Sequence, residues 1–454
     1  MRRVGVRVAP DAISVVAVGR DGTSVEAAFQ TEGGGAEALA AALRALPRPF
    51  REERCVVAFD VSDALVPCDP GTLVVVRIAP RAPVDDVHDR RLAHEATVVH
   101  VEGGHNTLGN ELAPLDTAGL RAAAAALPRG AVVVVTAVGS MVDDQHERAA
   151  ADIVRRMADP ASIVLSSSFF ANSVRERERT AILNGRLLAS AEALTEAASE
   201  AASRAVPGAR LFCAVNEGGC APLSRLTVMP VHSLASHRAN ALIGAAAAAG
   251  VADGRIVVAR EEGAVLGELI DGLPTVVGKT ELRGANVASI CAHTAPLSDA
   301  LLGGYDGAPT TVAWGDAAHT LAYFGLTATA HAGVDLVALG AAVAPLSYWQ
   351  QRLVSVRNSD EIAKALNEAR ALATARLVSF GAALPDVTVT ESQVVGGTYG
   401  DPQVVRVRVR AVAAMSASVL AGASAGPTGA ISTSAIAVRA ADTAPAAEGN
   451  ASWN

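Results

Sequence analysis

RIVVAREEGAVLGELIDG, residues 255–272, carries the reading of the fold. An apolar run is followed by a charged step at Arg260, Glu261 and Glu262 and then by a second apolar run, the form of a strand, a turn and a strand. RVGVRVAPDAISVVAVGR, residues 3–20, has the same form. Val4, Val6 and Val8 alternate, a turn follows, and Ile13, Val15, Val16 and Val18 resume the run. Each unit opens a stretch in which strands and helices take turns. That repetition points to two lobes, each built on its own sheet.

The flanking segments extend the pattern. CVVAFDV (55–61) and TLVVVRIA (72–79) are continuous apolar runs of the kind buried in a sheet covered on both faces. AVVVVTAV (131–138), SIVLSSS (162–168), ARLFCAV (209–215) and TTVAWGD (310–316) read as further strands. Helices are expected over 35–46, 117–127, 143–158, 173–205, 234–250, 333–345 and 359–380, with Pro47 ending the first. Asp21-Gly22 supplies a second hairpin turn. Such alternation favours an α/β fold with parallel sheets. VVRVRVRAVA (404–413) alternates Val and Arg, which predicts a final strand with an arginine face in water. Beyond 414 only Ala, Ser, Gly, Thr and Pro dominate, the composition of a mobile tail. The expected divisions are 1–170, 171–345, a returning segment 346–413, and the tail 414–454.

Composition limits the function. Of 454 residues, 50% are hydrophobic and 19% charged, enough to build a large core and too apolar for wholesale disorder. Aromatics make up only 3%, so Ala, Val and Leu must fill that core. A net charge of -8 argues against a nucleic-acid protein held by phosphate contacts. Lys279 and Lys364 are the sole lysines, so a mechanism built on a buried lysine has two candidates. Cys55, Cys68, Cys213, Cys220 and Cys291 form no CxxC pair, as expected of a reducing compartment. Asp11 and Arg7 interrupt the apolar start, so no export signal is read. The apolar stretch at 241–252 is too short for a bilayer. A cytoplasmic protein without membrane or nucleic-acid partners is expected.

Five segments carry a family resemblance: EGGHNTLGNELAPLD (102–116), LSSSFFANSVRERERTAILNGRLL (165–188), ARLFCAVNEGG…GAAAAAG (209–250), IDGLPTVVGKTELRGANVASI (270–290) and the closing 380–411. By their order and spacing the chain resembles the A-type subunit of the hydantoinase/oxoprolinase family. The resemblance implies a two-lobed fold akin to actin and the sugar kinases, built on ribonuclease H-like sheets. It also implies ATP and a divalent metal, a cyclic amide or carboxylation substrate, and association with a B-type subunit or with copies of itself.

The family writes its first phosphate loop as Asp-x-Gly-Gly-Thr-x-Thr-Asp. Here the aspartate position is Arg7, the paired glycines are Ala9 and Pro10, the first threonine is Asp11 and the closing aspartate is Ser14. Proline has no N–H to offer a phosphate, and Arg7 would repel Mg²⁺. In the second loop the aspartate falls at Val258, the glycine pair at Arg260 and Glu261, and the following positions at Glu262, Gly263, Ala264 and Val265. Adjacent carboxylates disfavour a polyphosphate. The later glycine turns appear as Cys291-Ala292-His293-Thr294 and Gly315-Asp316-Ala317-Ala318, and the family's His-Thr step as Phe59-Asp60-Val61-Ser62. Gly278-Lys279-Thr280 resembles the end of a P-loop, but Leu273 stands where that motif needs glycine. No cofactor is therefore expected. An ion pair between Arg7 and Glu261 is predicted to close the cleft.

Candidate chemistry rests on a few side chains. His105, beside Gly103, Gly104 and Asn106, could bind a substrate or a metal, or simply hold a loop. Asn216-Glu217-Gly218-Gly219 follows a buried strand, where ligands sit in α/β folds. Cys291 and His293 could pair as thiolate and imidazole, though a buried structural cysteine is commoner. His293, His319 and His331 lack metal-ligand spacing, so no metal site is read. The RERER run at 175–179 reads as a solvated helix face. Three functions remain open: a noncatalytic or ATP-independent A-type relative acting as a binding or assembly partner; a hydrolase of cyclic amides or imides, hydantoin-like or 5-oxoproline-like, with His105, Glu217, Glu261 and Glu262 as acid/base groups; or a scaffold holding a metabolite between the lobes.

Overall fold

Both strand-turn-strand units close as antiparallel hairpins in the computed structural model, which describes residues 2–19, 25–52, 55–68, 72–81, 96–298, 302, 307–398 and 401–413. The first is β1 (Arg2–Val8) with β2 (Ala12–Val18). β3 (Val25–Glu32) lies antiparallel to β2, and β4 (Cys55–Asp60) parallel to β1. Helices α1 (Gly35–Arg44) and α2 (Arg48–Glu52) connect β3 to β4. A separate, all-parallel sheet follows from β5 (Leu73–Ile78), β6 (Thr97–Val101), β7 (Val132–Ala137) and β8 (Ser162–Leu165), in the order β6-β5-β7-β8, with α3 (Thr117–Ala125) and α4 (Gln145–Met157) in its connections.

The long α5 (Val174–Ala205) returns the chain to the first sheet. There β9 (Arg210–Ala214) adds parallel to β4 and β10 (Cys220–Pro222) antiparallel to β9. After α6 (Ser236–Ala249) comes the second hairpin, β11 (Gly254–Arg260) and β12 (Gly263–Ile270), with β13 (Leu273–Pro274) antiparallel to β12. Two small pairs follow: β14 (Val276–Val277) with β17 (Cys291–Ala292), and β15 (Thr280–Leu282) with β16 (Ala285–Val287). β18 (Thr294–Pro296) joins β12, β19 (Thr310–Trp314) runs parallel to β11, and β20 (Ala330–Ala332) parallel to β19, with α7 (Ala318–Tyr323) between them. After α8 (Leu336–Val343), β21 (Leu346–Ser355), α9 (Ser359–Ser379), β22 (Val387–Thr398) and β23 (Asp401–Ala413) complete the first sheet, whose order is β22-β23-β21-β10-β9-β4-β1-β2-β3.

The duplication is visible in the ladders. β3-β2-β1-β4-β9 and β13-β12-β11-β19-β20 have the same order and the same strand senses. This is the two-lobed α/β architecture. The sheets cut across the divisions expected at 170 and 345, because strands from 2–60, 210–222 and 346–413 share one sheet. The second hairpin turn at Asp21-Gly22 and the segment 414–454 lie outside the described residues.

α8 joins the lobes. A Cβ on Gly5 of β1 would fall on the Ala338 carbonyl, and one on Gly340 would fall on the Asn240 carbonyl of α6. Only hydrogen at these positions lets strand and helices approach so closely. At the helix end, buried Arg3 donates to the carbonyls of Val343 and Ala344, where a cation suits the negative end of the helix dipole. Burial lowers the Arg3 guanidinium to about 10, still charged at neutral pH.

Two expectations are corrected. RERER is not a solvated face. Arg177 and Glu178 are 1% exposed; Glu178 pairs with Arg77 at 2.7 Å, and Arg177 donates to the carbonyls of Ala171 and Ala137. Nor do the arginines of β23 face water. Arg408 lies 4.1 Å over the Trp349 ring, Arg406 4.6 Å over Phe170, and Arg410 is only 5% exposed. A period of two marks one polar face; here that face meets the loop at 166–172 and the neighbouring β21, not solvent. No helix among the described residues is long and apolar enough to cross a membrane.

Candidate functional site

Two polar centres lie near the carboxyl ends of the parallel strands. The first is the cleft between the hairpins. The strands β1 and β2 are joined through Pro10 and Asp11, and β11 and β12 through Glu261 and Glu262, so both turns are tight. Both reach Trp314 at the end of β19: the Arg260 guanidinium lies 4.1 Å over its ring and that of Arg7 5.9 Å away.

The predicted pair of Arg7 with Glu261 is not formed. Arg7 is held instead by Asp63, at 2.7 Å, and by Asp335, at 3.2 Å, while Glu261 and Glu262 are exposed on their turn. The reason is the tightness of the loop, which sends the Glu261 side chain to solvent and leaves the carboxylates behind the turn to take the guanidinium. Burial opposes the charge on Arg7, but Asp335 and Asp63 more than restore it, and the group is raised above its ordinary value. Asp335 also acts on the helix that follows it: its Oδ1 accepts from the N–H groups of Val337 and Ala338, capping α8. Beneath Arg7, fully buried Asp60 accepts from the Ser62 N–H and hydroxyl and from Asn240, and His237 Nδ1 lies 3.1 Å from the Ser62 hydroxyl. Burial lowers the His237 imidazole and favours its neutral form.

This donor set does not fit a magnesium-bound triphosphate. The Ala9 N–H donates to Ala12 O at 2.9 Å, Pro10 has none, and the Asp11 carbonyl is taken by the Gly33 N–H. Asp63 and Asp335, the carboxylates that could hold a metal, already neutralise Arg7. At the second turn, the Arg260 and Glu261 carbonyls accept from the Thr320 hydroxyl, which fixes the loop.

The second centre is a cavity of about 440 Å³ at the end of β9. Glu217 lies in its wall, with Arg225, His232, Tyr348, Trp349 and Arg376. Burial pushes the Glu217 carboxyl up to about 7, against the opposing pull of Arg410 and Arg225. Burial and Arg225 together lower His232 to about 3, so this imidazole is neutral. The Asn216 side chain fixes the turn that presents Glu217 by donating to Val231 O and Ser289 and accepting from the Ala235 N–H. Arg225 and Arg376 lie 5.5 and 5.7 Å from the Tyr348 ring centre.

The other sequence candidates are dispersed. His105 is buried, its ring centre 4.3 Å from that of His146 at a tilt of 46°; His146 Nε2 donates to Glu111 and its Nδ1 accepts from the Gly104 N–H. It belongs to the loop of the four-stranded sheet and lines neither centre. Pro10, Asp11, Gly315 and Asp316 lie at turns, and Gly263 closes the second hairpin with φ 147°. Cys291 and His293 do not pair: Cys291 is buried and its thiol pushed up to about 12 by burial, whereas His293 is exposed. Lys279, the P-loop look-alike, forms an ion pair with Glu176. Among the described residues no three His, Cys, Asp or Glu side chains gather as a metal site. Asp63, Asp335, Arg225, Tyr348 and Arg376 were not singled out from the sequence. Only Asp335 had a signal, an aspartate directly before the apolar run LVALGAAV.

Comparison with known proteins follows this geometry. Residues 73–158 match the hydantoinase/oxoprolinase N-terminal region, a span that holds β5, β6, β7, α3 and α4. A sequence comparison with curated proteins finds no match. Among solved structures, the chain is similar to an ATP-dependent caprolactamase from Pseudomonas jessenii, with a TM-score of 0.68 at 13% identity over 91% of this chain and 88% of that one. It is also similar to a nucleotide-free acetone carboxylase, with a TM-score of 0.63 at 12% identity and the same coverage, 91% and 88%.

Proposed function

We propose that the chain is a divergent relative of the hydantoinase/oxoprolinase family, whose N-terminal region matches residues 73–158, and that it works without ATP, as a binding or assembly partner. The observation that carries this reading is the ion triad of Arg7 with Asp63 and Asp335, set where the family's loop would coordinate phosphate and metal. Its solved neighbours include a caprolactamase named for ATP dependence. In this chain the corner beside the first hairpin turn is spent on internal ion pairs. What survives is the two-lobed frame, which suits association with a B-type subunit or with a second copy.

Isothermal titration of the full chain with Mg-ATP tests the reading. No measurable heat is expected up to about 1 mM nucleotide. Micromolar binding, or an ATPase activity removed by Arg7→Gln, would overturn it.

The buried Glu217 favours a second reading, an active hydrolase of cyclic amides or imides. A carboxyl that titrates near 7 can give and take a proton at neutral pH. A panel of hydantoins, 5-oxoproline and cyclic imides, with and without ATP, separates the two. Turnover that disappears in Glu217→Gln would establish the hydrolase; no turnover, alone or with a B-type subunit, would reject it.

A further inference from the structure

The walls of the Glu217 cavity are of two kinds. Met141, Phe170, Ile290 and Trp349 supply its apolar lining, with Arg406 over the Phe170 ring and Arg408 over the Trp349 ring. The same cavity is lined by Arg225 and Arg376, whose guanidiniums rest on Tyr348 and have no carboxylate within salt-bridge distance among the described residues. Arg77, by contrast, is tied to a buried glutamate and Arg7 to two aspartates. A guanidinium offers five N–H donors in a planar fork that matches a carboxylate. Two of them in the wall of a cavity that also has apolar lining make a place for an anion that carries carbon. The volume, about 440 Å³, lies in the range of small-molecule sites.

We propose that this cavity binds a small organic acid, with its carboxylate against Arg225 and Arg376, its carbon skeleton on the Trp349 side, and Glu217 donating a hydrogen bond to it. The proposal does not depend on whether the hairpin cleft takes ATP, since none of Arg7, Arg260, Trp314 or Asp335 lines the cavity. An organic acid fits better than inorganic phosphate. The apolar wall gives phosphate nothing, and a dianion would meet Glu217 as the latter ionises.

The groups facing Glu217 are Arg225 and Arg410, the neutral His232, and the thiols of Cys213, Cys220 and Cys291, all three raised by burial. None of these thiols or the imidazole changes charge near neutrality, so Glu217 is the group that titrates there. A bound carboxylate is therefore held best below pH 7, while Glu217 carries its proton.

The test is titration calorimetry of the full chain with benzoate, succinate and hexanoate, and with benzamide and inorganic phosphate as controls. At least one acid is expected to bind, benzamide and phosphate at least about tenfold more weakly. Arg225→Gln and Arg376→Gln, each checked for folding by circular dichroism, are expected to weaken the acid by about tenfold or more. Glu217→Gln, a neutral donor at every pH, is expected to keep binding and remove its decline above pH 7. Binding of none of the three acids, equal binding of benzamide or phosphate, or folded arginine variants that bind as wild type would each overturn the proposal.

Discussion

The hairpin cleft, between the turns of two different sheets, and the Glu217 cavity, at the end of β9, differ in how far their charges are paired. In the cleft Arg7 has Asp63 and Asp335, Asp60 accepts from Ser62 and Asn240, and Arg260 rests on the Trp314 ring. An incoming anion would have to break those contacts before it gained any. In the cavity Glu217 is buried with its carboxyl far above the ordinary range, and Arg225 and Arg376 rest on an aromatic ring. The first centre is closed by its own side chains; the second keeps its hydrogen-bonding capacity for something else. A site is therefore better recognised by unspent polar groups than by its position in the fold.

The largest expected effect follows from Glu217. Its folded pKa, about 7, stands above the ordinary 4.5, so the folded state holds a proton that the unfolded chain gives up. This contribution to stability is full below pH 4.5 and is lost as pH rises through 7. Glu217→Gln removes the titration. Urea unfolding should show the variant gaining on wild type by on the order of 3 kcal/mol between about pH 4 and pH 8. Wild type alone conceals the effect. His232, lowered to about 3, has the opposite linkage, losing stability as pH falls below 6.5, and the two offset one another between 4.5 and 6.5. A variant whose gain is independent of pH would mean that Glu217 is ionised in the fold, and the cavity would then resemble the cleft.

Arg7→Gln comes next. It strands two carboxylates that are 28% and 13% exposed, a milder case than a fully buried pair. A loss of about 2 kcal/mol in the same urea assay is expected. A loss near zero would show that the ions of the cleft are solvated and free to meet a ligand.

The frame was readable from the sequence because its signals are local. Alternating or continuous valines in 3–20, 55–61, 131–138 and 255–272 mark strands, and the matching hairpins expose the duplication. What failed was the question of what a polar face touches. RERER and the Arg-Val alternation of 404–413 look solvated because their periods are those of surface elements, but Arg177 and Arg410 are covered by chain distant in sequence. The cleft was half legible: Arg7 and Pro10 stood out against the family's glycines, whereas Asp63 and Asp335 are 56 and 328 residues from Arg7 and nothing local couples them to it. Glu217 was found because it follows a buried strand. Arg225 and Arg376 carried no such mark.

The smallest effect is the most discriminating. Asp335 caps α8 through Oδ1 and holds Arg7 through Oδ2. Asn is about as good an N-cap as Asp, so Asp335→Asn keeps the cap and removes only the charge that faces Arg7. A cost of about 1 kcal/mol is expected, roughly half that of Arg7→Gln, since Asp63 remains. In an Arg7→Gln background the same change should cost almost nothing, because there is no cation left to lose. If instead Asp335→Asn costs as much in that background as in wild type, the carboxylate acts on α8 and not on Arg7. The ion triad would then be an accident of proximity, and the cleft would have no more claim to be closed than the cavity beside it.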